Sequence, residues 1–382
     1  MSSPVVIRKV ETKADFKPFF EFPWTLYKDD PNWVPPLLSM RRELFDKEKS
    51  PAWEYLEGDF FTAWRGDQLV GTIAAYINHR HNEFHNEHIG WFGAFDVYDD
   101  QEAATALLDT AAEWVRSRGY TAIRGPQTFT THEECGLLIE NFSRPILLMP
   151  YNKPYYQKLV EAAGFTKAMD TISHHTTRES VIENALYQRL QKLTTAMMKR
   201  NKITLRPVDP KNLDADFKLF KELYNAAWDK NWGFVPMTPR ELDGMVKSLG
   251  QFFDPRLAFF AYVDGVPAGF ILGIPDFHQV LAKARARPGT PEIITLLRAL
   301  WHWKIRPVMT WVRVPLMGVK AEYRRKGVDV AMYTYILNTI LEIGYTDSDS
   351  GWVLETNMDM RGVSDGLGLE PYKRYRFYEK SW

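Results

Sequence analysis

The residues of this chain with the clearest chemistry form a short basic turn near residue 325. An apolar segment ends at Val319, three basic residues follow shortly after it, and Gly327 precedes an apolar run that predicts a helix. Such a turn directs backbone N–H groups and the positive end of the helix dipole at one point, where a phosphate group is stabilised. The predicted anion-binding residues are Arg324, Arg325, Lys326, Gly327 and Val328.

Asp329 departs from this chemistry, because a carboxylate in the first turn of the helix repels a phosphate unless it points away. The equivalent segment of the first half of the chain, residues 96–102, contains three aspartates and one glutamate but no basic residue and no glycine. Acidic residues suit a helix N-terminus as caps, yet they repel phosphate. We therefore expect the anion in the second half, and we expect the first half to have kept the fold without this site.

The elements that position these residues occur twice along the chain. Periodicity predicts strand, helix, β-hairpin, strand, helix, strand, helix and strand in the first half, and the same order recurs about 200 residues later. A charged, helix-like segment joins the two halves. We predict an N-terminal domain at residues 1–178, a connecting helix at 179–202 and a C-terminal domain at 203–382, which carries the basic turn.

The basic turn resembles the pyrophosphate-binding turn of the GNAT superfamily of acyl-CoA-dependent N-acyltransferases. That turn usually reads (Arg/Gln)-x-x-Gly-x-(Gly/Ala), and Arg324, Gly327 and Asp329 occupy those places. The end of the chain is similar to the family's ending, Asn-x-x-Ala-x-x-x-Tyr-x-x-x-Gly-Phe followed by a tyrosine-rich strand. The residues in those places are Asn357, Met360, Ser364, Gly368 and Leu369.

The paired layout resembles tandem GNAT proteins such as mycothiol synthase, the related Fem-type aminoacyltransferases, and a bacterial tandem group near the bacterial ceramide synthases. The resemblance implies an α+β fold with two GNAT-like domains, each a mixed, mostly antiparallel central sheet flanked by helices. It implies acetyl-CoA or a longer acyl-CoA as co-substrate, with no metal. It adds Asn357 to the coenzyme-binding residues, together with Val319, whose backbone would align the pantetheine or thioester. Ser364 stands where the family often has the tyrosine that protonates the leaving thiolate, so Tyr372, Tyr375 or a water must substitute.

An amine must lose a proton before it attacks a thioester, and a carboxylate or a water chain at the end of a central strand can accept it. Glu355, at a predicted strand end, is the first candidate, and Asp276, after the second hairpin, is the second. The alternative for each carboxylate is a solvated or capping role, because ionisable groups are mostly exposed. The predicted catalytic residues are therefore Glu355, Asp276 and Tyr375.

Two polar segments of the first half are candidates for binding the acceptor amine. Glu133 and Glu134 precede the single cysteine, Cys135, whose thiol pKa they would raise, so we expect a packed cysteine and not a nucleophile. His81 belongs to a histidine-rich stretch, residues 78–88, with irregular spacing and no cysteine. We expect a polar loop that binds the acceptor and no metal site. The predicted substrate-binding residues are Glu133, Glu134 and His81.

Residues 277–314 form an insertion between two strands of the second half. They contain seven basic residues, a single acidic residue, Glu292, and an apolar helical pattern with tryptophans. Such a helix binds a membrane surface or covers a lipid-like substrate. The alternative is a helix packed on the first domain, because a buried helix has the same pattern.

Composition narrows the class of protein further. The 382 residues carry no net charge, which argues against a nucleic-acid partner, and one cysteine excludes an internal disulfide. Without a leader or a spanning segment, we expect a cytoplasmic protein, peripheral to the inner face of the membrane if residues 277–314 meet lipid. We predict transfer of an acyl group from a CoA thioester to a primary amine, either a small molecule or a lipid such as a sphingoid base. The alternatives are a Fem-like aminoacyl-tRNA-dependent transferase and a non-catalytic acyl-CoA-binding or membrane-associated scaffold.

Overall fold

The computed structural model describes residues 3–227, 231–250, 253–366 and 369–382 of the chain. The first half forms the following elements: β1 (Val5–Lys9), α1 (Lys13–Leu26), α2 (Leu38–Phe45), β2 (Leu56–Arg65), β3 (Gln68–Asn78), α3 (His79–His85), β4 (Ile89–Val97), α4 (Gln101–Arg116), β5 (Ala122–Gly125), β6 (Leu137–Glu140), α5 (Tyr156–Ala162) and β7 (Thr166–Thr177).

The remainder of the chain repeats much of this order. Two helices, α6 (Arg178–Glu183) and α7 (Ala185–Arg200), lead into it. Its elements are β8 (Ile203–Pro207), α8 (Leu213–Ala227), α9 (Pro239–Gly250), β9 (Ala258–Val263), β10 (Val266–Pro275), α10 (His278–Ala284), α11 (Glu292–Leu300), β11 (Trp311–Val319), α12 (Val328–Ile343), β12 (Asp347–Leu354), α13 (Met358–Gly366) and β13 (Glu370–Ser381).

Local sequence explains several of these boundaries. Thr12 begins α1 through a reciprocal capping box with Asp15, which satisfies backbone donors that the first turn leaves without partners. Gly66 adopts a φ of 58° in the tight turn between β2 and β3, where a side chain would be strained. Gly344, with a φ of 101°, ends α12 in the same way.

Unit 1 is one of two compact units and contains the described residues of Met1–Asp170, Val280–Pro307 and Lys373–Trp382. Its sheet has the order β1-β2-β3-β4-β5-β13, with β6 paired to β13. Neighbouring strands are antiparallel except β4 and β5, which are parallel. The apolar face of α4, including Leu107, Leu108 and Val115, packs in the core of this unit.

Unit 2 contains the described residues of Thr171–Gln279 and Val308–Tyr372. Its sheet has the order β7-β12-β11-β10-β9-β8, and the only parallel pair among these described strands is β11 with β12. One core cluster surrounds α12, with Met332, Ile336 and Ile340 fully packed. A second cluster, around Leu223 and Phe270, holds α8 against the strands.

Each unit includes a strand from the other half of the sequence. In unit 1, the last strand of the chain pairs with β5, with Tyr378 opposite Gly125. In unit 2, β7 from the first half pairs with β12, with Thr177 opposite Asp347. The compact units are therefore discontinuous along the chain, and the consecutive domain bounds given above stay a prediction about the duplicated halves.

The α+β architecture and the repeated order of elements are confirmed. The prediction of a polar loop at residues 78–88 is wrong, because His79–His85 forms α3. The Asn78 side chain accepts a hydrogen bond from the N–H of His81 at the start of this helix, and Asn86 ends it with a φ of 52°. These caps outweigh the low helix propensity of histidine and asparagine.

Candidate functional site

The predicted anion-binding turn connects β11 to α12 in unit 2. After β11 the chain makes a turn of 3₁₀-helix at Ala321–Tyr323. Gly327 then takes a φ of 81° and begins α12, with no side-chain cap. A left-handed residue at this position suits glycine, because a Cβ would be strained there. The 16 residues of α12 place the positive end of a helix dipole at this turn.

The three basic residues of the turn have different surroundings. Arg324 donates from Nη2 to the carbonyl oxygen of Ala227 at 2.7 Å and from Nε to that of Val319 at 3.3 Å. Ala227 is the last described residue of α8, so this guanidinium holds the turn against that helix. Arg325 is 84% exposed, 3.6 Å from Asp359. The ammonium of Lys326 lies 5.0 Å from the ring of Tyr323. All three basic side chains are exposed, and Arg324 is held by the two backbone carbonyl oxygens.

Asp329 lies in the first turn of α12, where a carboxylate is stabilised by the helix dipole. Its Oδ1 accepts a hydrogen bond of 2.9 Å from the backbone N–H of Val330. This donor is one that an anion at the helix N-terminus would otherwise use. An anion bound at the turn therefore shares the helix end with this carboxylate.

The connecting helix α7 packs on the turn. A Cβ built on Gly327 would lie 2.0 Å from Sδ of Met197. The Asn201 side chain, just after α7, donates to the carbonyl oxygen of Lys326 at 2.8 Å. Farther along α12, the hydroxyl of Tyr187 donates to Asn338 at 3.1 Å. The segment predicted as a connector therefore also shapes the turn.

A gap opens between the parallel strands β11 and β12 next to the turn. Their pairing runs from Trp311 opposite Asp347 to Val314 opposite Ser350 and then stops. Pro315 follows Val314 and has no N–H to donate to the ladder. Residues 316–319 continue to pair with β10 on their other side. Every second residue of that segment points its backbone groups at the gap. Such groups can bind an extended chain or polarise a carbonyl.

The predicted catalytic residues have separate positions. Glu355 follows β12 and is partly buried, and its carbonyl oxygen accepts from Nη1 of Arg361 at 3.2 Å. Asp276 is fully buried, and its Oδ1 accepts from the N–H of His278 at the start of α10. Tyr375, in β13, is also fully buried and belongs to unit 1. Glu355 is thus the one of these three side chains that retains solvent contact.

Two further positions from the family pattern are structural in character. Asn357 accepts a hydrogen bond from the N–H of Met360 at 3.1 Å, which caps α13. Ser364 is fully buried in the same helix. The position of Gly368 lies outside the described residues. The binding of a coenzyme by Asn357 stays a prediction.

A buried polar cluster that the sequence did not reveal lies on the central strands of unit 2. Asp349 is fully buried, and the hydroxyl of Tyr372 donates to its Oδ2. Arg313, opposite Asp349 on the parallel strand, is 4% exposed and donates to the carbonyl oxygen of Gly351. His175 stacks on Trp311 with a centroid distance of 4.4 Å. Buried charges are stable only when they are paired. We therefore infer that this cluster stabilises β11 and β12 at the point where their pairing ends.

In unit 1, acidic residues fill the equivalent turn. Asp100 caps α4 by accepting from the N–H of Ala103 at 3.1 Å. Arg65 donates to both oxygens of Asp100, at 2.7 and 2.9 Å, and to Glu102 at 2.7 Å. The Arg65 guanidinium lowers the pKa of the Asp100 carboxyl below its usual value. The helix N-terminus of this unit is thus already occupied by carboxylates.

A second set of acidic residues in unit 1 lies near Arg41. Burial raises the pKa of the Glu134 carboxyl to about 7, although the residue stays accessible to solvent. Burial also raises the pKa of Asp96, whose Oδ1 accepts from the Tyr27 hydroxyl at 2.9 Å. The charge of Arg41 opposes both shifts. Of these residues, only Glu134 was predicted from the sequence, because the others come from distant segments.

The remaining predicted substrate residues have structural surroundings. His81 is 2% exposed, and its Nε2 lies 2.7 Å from Glu87, which also pairs with Arg124. These contacts account for His81 without a ligand. The Cys135 sulfur is buried 3.2 Å from the carbonyl oxygen of Glu133, so the prediction of a packed cysteine is confirmed. Within the part of the chain that the structure describes, no three His, Cys, Asp or Glu side chains are grouped to hold a metal ion.

Comparison with known proteins finds one family model that matches part of the first half and relatives that match nearly the whole chain. A model of the acetyltransferase (GNAT) family matches residues 20–132. Protein YghO of Escherichia coli (strain K12) is 32% identical over 380 residues, covering 98% of this chain and 95% of that protein. The chain belongs to the GNAT family. The bacterial ceramide synthase of Caulobacter vibrioides (strain NA1000 / CB15N) is 31% identical over 378 residues, covering 97% of this GNAT protein and 96% of the synthase.

A solved tandem GNAT protein from the clavulanic acid biosynthesis pathway aligns with this GNAT protein at a TM-score of 0.52. It shares 14% sequence identity, and the alignment covers 99% of this chain and 98% of that chain. At this identity the likeness concerns the fold alone, and it confirms the two GNAT-like domains. Membership of the family makes the protein an N-acyltransferase in the general sense.

Proposed function

We propose that this protein transfers an acyl group from a CoA thioester to the primary amine of a lipid-like acceptor. The turn from Val319 to Val328 supports this function most strongly, because it combines a helix N-terminus with three exposed basic side chains beside a gap in the sheet. A pyrophosphate group requires such a helix end and such cations. A pantetheine chain requires an extended channel lined by backbone groups.

The coenzyme fits the residues of the turn, but we no longer assign Arg324 to the phosphates. Arg325 and Lys326 are the side chains we assign to the phosphates, since Arg324 is engaged with two backbone carbonyl groups. Gly327 and Val328 would contribute backbone N–H groups. Asp329 lowers the expected affinity, because its carboxylate shares the helix N-terminus. We therefore expect binding that weakens with added salt.

The reaction would proceed by direct transfer. The neutral amine nitrogen attacks the thioester carbonyl carbon, the C–N bond forms, and the C–S bond breaks to release the CoA thiolate. We assign Glu355 as acceptor of the ammonium proton, directly or through a water, because it is the partly exposed carboxylate at the end of β12. The second proton, lost from the nitrogen as the amide forms, passes through water to the thiolate. Backbone N–H groups of β11 at the gap would stabilise the oxyanion.

Two observations support a lipid-like acceptor. The relative from Caulobacter vibrioides is named a bacterial ceramide synthase, over nearly the whole of both chains. The insertion also exposes a row of large apolar side chains, described below. None of the helices within residues 3–227, 231–250, 253–366 and 369–382 is long and apolar enough to cross a bilayer. We propose a cytoplasmic protein that contacts the membrane peripherally through residues 277–314.

The first experiment measures coenzyme binding and turnover on the full chain. Calorimetric titration with CoA, acetyl-CoA and palmitoyl-CoA should give binding, and Arg325→Gln with Lys326→Gln should weaken it about tenfold or more, since each charge-assisted contact contributes about 1.5–3 kcal/mol. The matched control is Lys211→Gln with Lys218→Gln, which removes two exposed charges from the same unit. An equal loss in both double variants would refute the assignment of the turn.

Turnover is measured as free thiol released from palmitoyl-CoA with a long-chain or a short-chain primary amine. We expect release with the long-chain amine, and a loss of the rate constant with little change in coenzyme affinity for Glu355→Gln. Binding of acyl-CoA without release for any amine would favour the non-catalytic scaffold. No binding of any CoA species would overturn the proposed function.

A further inference from the structure

Three hydrogen bonds hold the part of the insertion that belongs to unit 1 against other segments of that unit. The indole Nε1 of Trp24 in α1 donates to the carbonyl oxygen of Ala286 at 2.7 Å. The backbone N–H and the hydroxyl of Ser39 donate to Oε1 of Glu292, at 3.0 and 3.1 Å. Glu292 is the only carboxylate in residues 277–314. The one negative charge of the insertion therefore accepts hydrogen bonds from Ser39 of α2.

The helix α11 presents its apolar side outward. Thr295 and Ala299 are its buried residues, whereas the larger side chains lie on the opposite side. Ile293 and Leu297 are each 60% exposed. At 100° per residue these exposed side chains form one continuous arc, which a π-helical turn at Trp301–Ile305 extends. The exposed apolar residues are Ile293, Ile294, Leu296, Leu297, Leu300, Trp301 and Ile305.

A basic cavity adjoins this apolar arc. It has a volume of about 530 Å³ and is lined by Lys283, Arg285, Arg287, Thr290, Arg298 and His302. The imidazole Nδ1 of His302 is buried and has no hydrogen-bond partner within the described residues. Arg298 lies on α11 itself, next to the arc of exposed leucines. The cavity and the apolar arc are thus parts of one surface.

We propose that this surface docks on an anionic phospholipid bilayer, with the cavity binding a headgroup phosphate while the apolar arc enters the acyl-chain boundary. The inference rests on the membrane contact in the proposed function and identifies its lipid. Guanidinium forks match phosphate oxygens in geometry and charge. An interfacial helix combines an apolar face, basic flanks and a tryptophan at the boundary. The insertion has all three features.

A bilayer suits this surface better than a second copy of the chain. Two copies pairing through this face would bring two sets of cations together, and such like charges repel. An anionic leaflet instead attracts the cations and accepts the apolar arc. The arrangement would hold the enzyme where a lipid amine is dissolved in the membrane.

The test is sedimentation of the full chain with vesicles of phosphatidylcholine alone or with about one third phosphatidylglycerol. We expect wild-type binding to be tighter on the anionic vesicles by about tenfold or more, since each basic residue near the surface contributes about fivefold. Arg285→Gln with Arg287→Gln should abolish most of this preference. Leu297→Ser with Leu300→Ser should weaken binding to both kinds of vesicle. All four side chains are exposed, so the variants should fold.

Arg116→Gln with Lys158→Gln is the matched control, because it removes two exposed charges from unit 1 outside the insertion. Binding without lipid preference in the wild type, or an equal loss in the control, would overturn the proposal. Titration with soluble acetyl-CoA, without vesicles, separates this proposal from the proposed function. Unchanged acetyl-CoA affinity in Arg285→Gln with Arg287→Gln supports a lipid site. Weakened acetyl-CoA affinity with intact vesicle binding would assign the cavity to the coenzyme and overturn the lipid site.

Discussion

Substitution of Gly327 by alanine tests how the connecting helix shapes the basic turn. Alanine at a φ of 81° costs about 1–2 kcal/mol of strain. Its Cβ would also lie 2.0 Å from Sδ of Met197, and overpacking of this kind costs about 1–3 kcal/mol. The Met197 side chain is flexible and partly exposed, so it relieves some of the clash. We expect Gly327→Ala to lower the free energy of unfolding of unit 2 by about 2–4 kcal/mol.

A double-mutant cycle separates strain from clash. Met197→Ala alone should cost about 1–2 kcal/mol, because a partly buried methionine loses apolar burial. In the double variant the clash is absent, so the combined loss should be smaller than the sum by about 1 kcal/mol. The free energies of unfolding are measured by urea titration with circular dichroism. The affinity of each variant for CoA is measured by a separate titration.

Gly244→Ala is the matched control for this cycle. Gly244 lies inside α9 in the same unit, and a Cβ built there meets no atom within 4 Å. Alanine in such a helix interior should stabilise the protein by up to about 1 kcal/mol. If Gly327→Ala behaved like Gly244→Ala, the turn would not be constrained as described. Strict additivity in the cycle would show that Met197 does not press on Gly327.

Three further predictions concern other parts of the molecule. Because burial raises the pKa of Glu134 to about 7, the folded state holds its proton more tightly than the unfolded chain. The free energy of unfolding should fall as the pH rises from about 4.5 to about 7, and Glu134→Gln should reduce that slope in urea unfolding; an unchanged slope would show that burial does not raise this pKa. Tyr372→Phe removes a donor from the fully buried Asp349 and should cost about 1.5–3 kcal/mol in the same assay, whereas a loss below about 0.5 kcal/mol would mean that other partners suffice. Deletion of Lys373–Trp382 should make unit 1 more sensitive to proteolysis than unit 2, because these residues pair with β5 of unit 1. Cleavage of unit 2 first would contradict the assignment of the last strand to unit 1.

Much of the fold was predictable from local pattern. The repeated order of strands and helices follows from apolar periodicity and from glycine at the turns, which are local properties of the chain. The helix at residues 79–85 was missed because its stability comes from caps at Asn78 and Asn86, while its own residues are weak helix formers. Periodicity also indicated α11 but left its environment open, since an exposed and a buried apolar helix share one pattern.

The duplicated α+β plan, the basic turn at Arg324–Gly327 and the acidic character of its counterpart at Asp96–Glu102 were predictable from the sequence. Each of these depends on residues close together in the chain. The folded structure was needed to show that Arg324 contacts α8, that Met197 packs on Gly327, and that β13 completes the sheet of unit 1. It likewise joined Asp349 to Tyr372 and Glu134 to the charges of Asp96 and Arg41. These contacts join residues that are far apart in sequence. A local sequence pattern does not predict which distant residues come into contact in the folded chain.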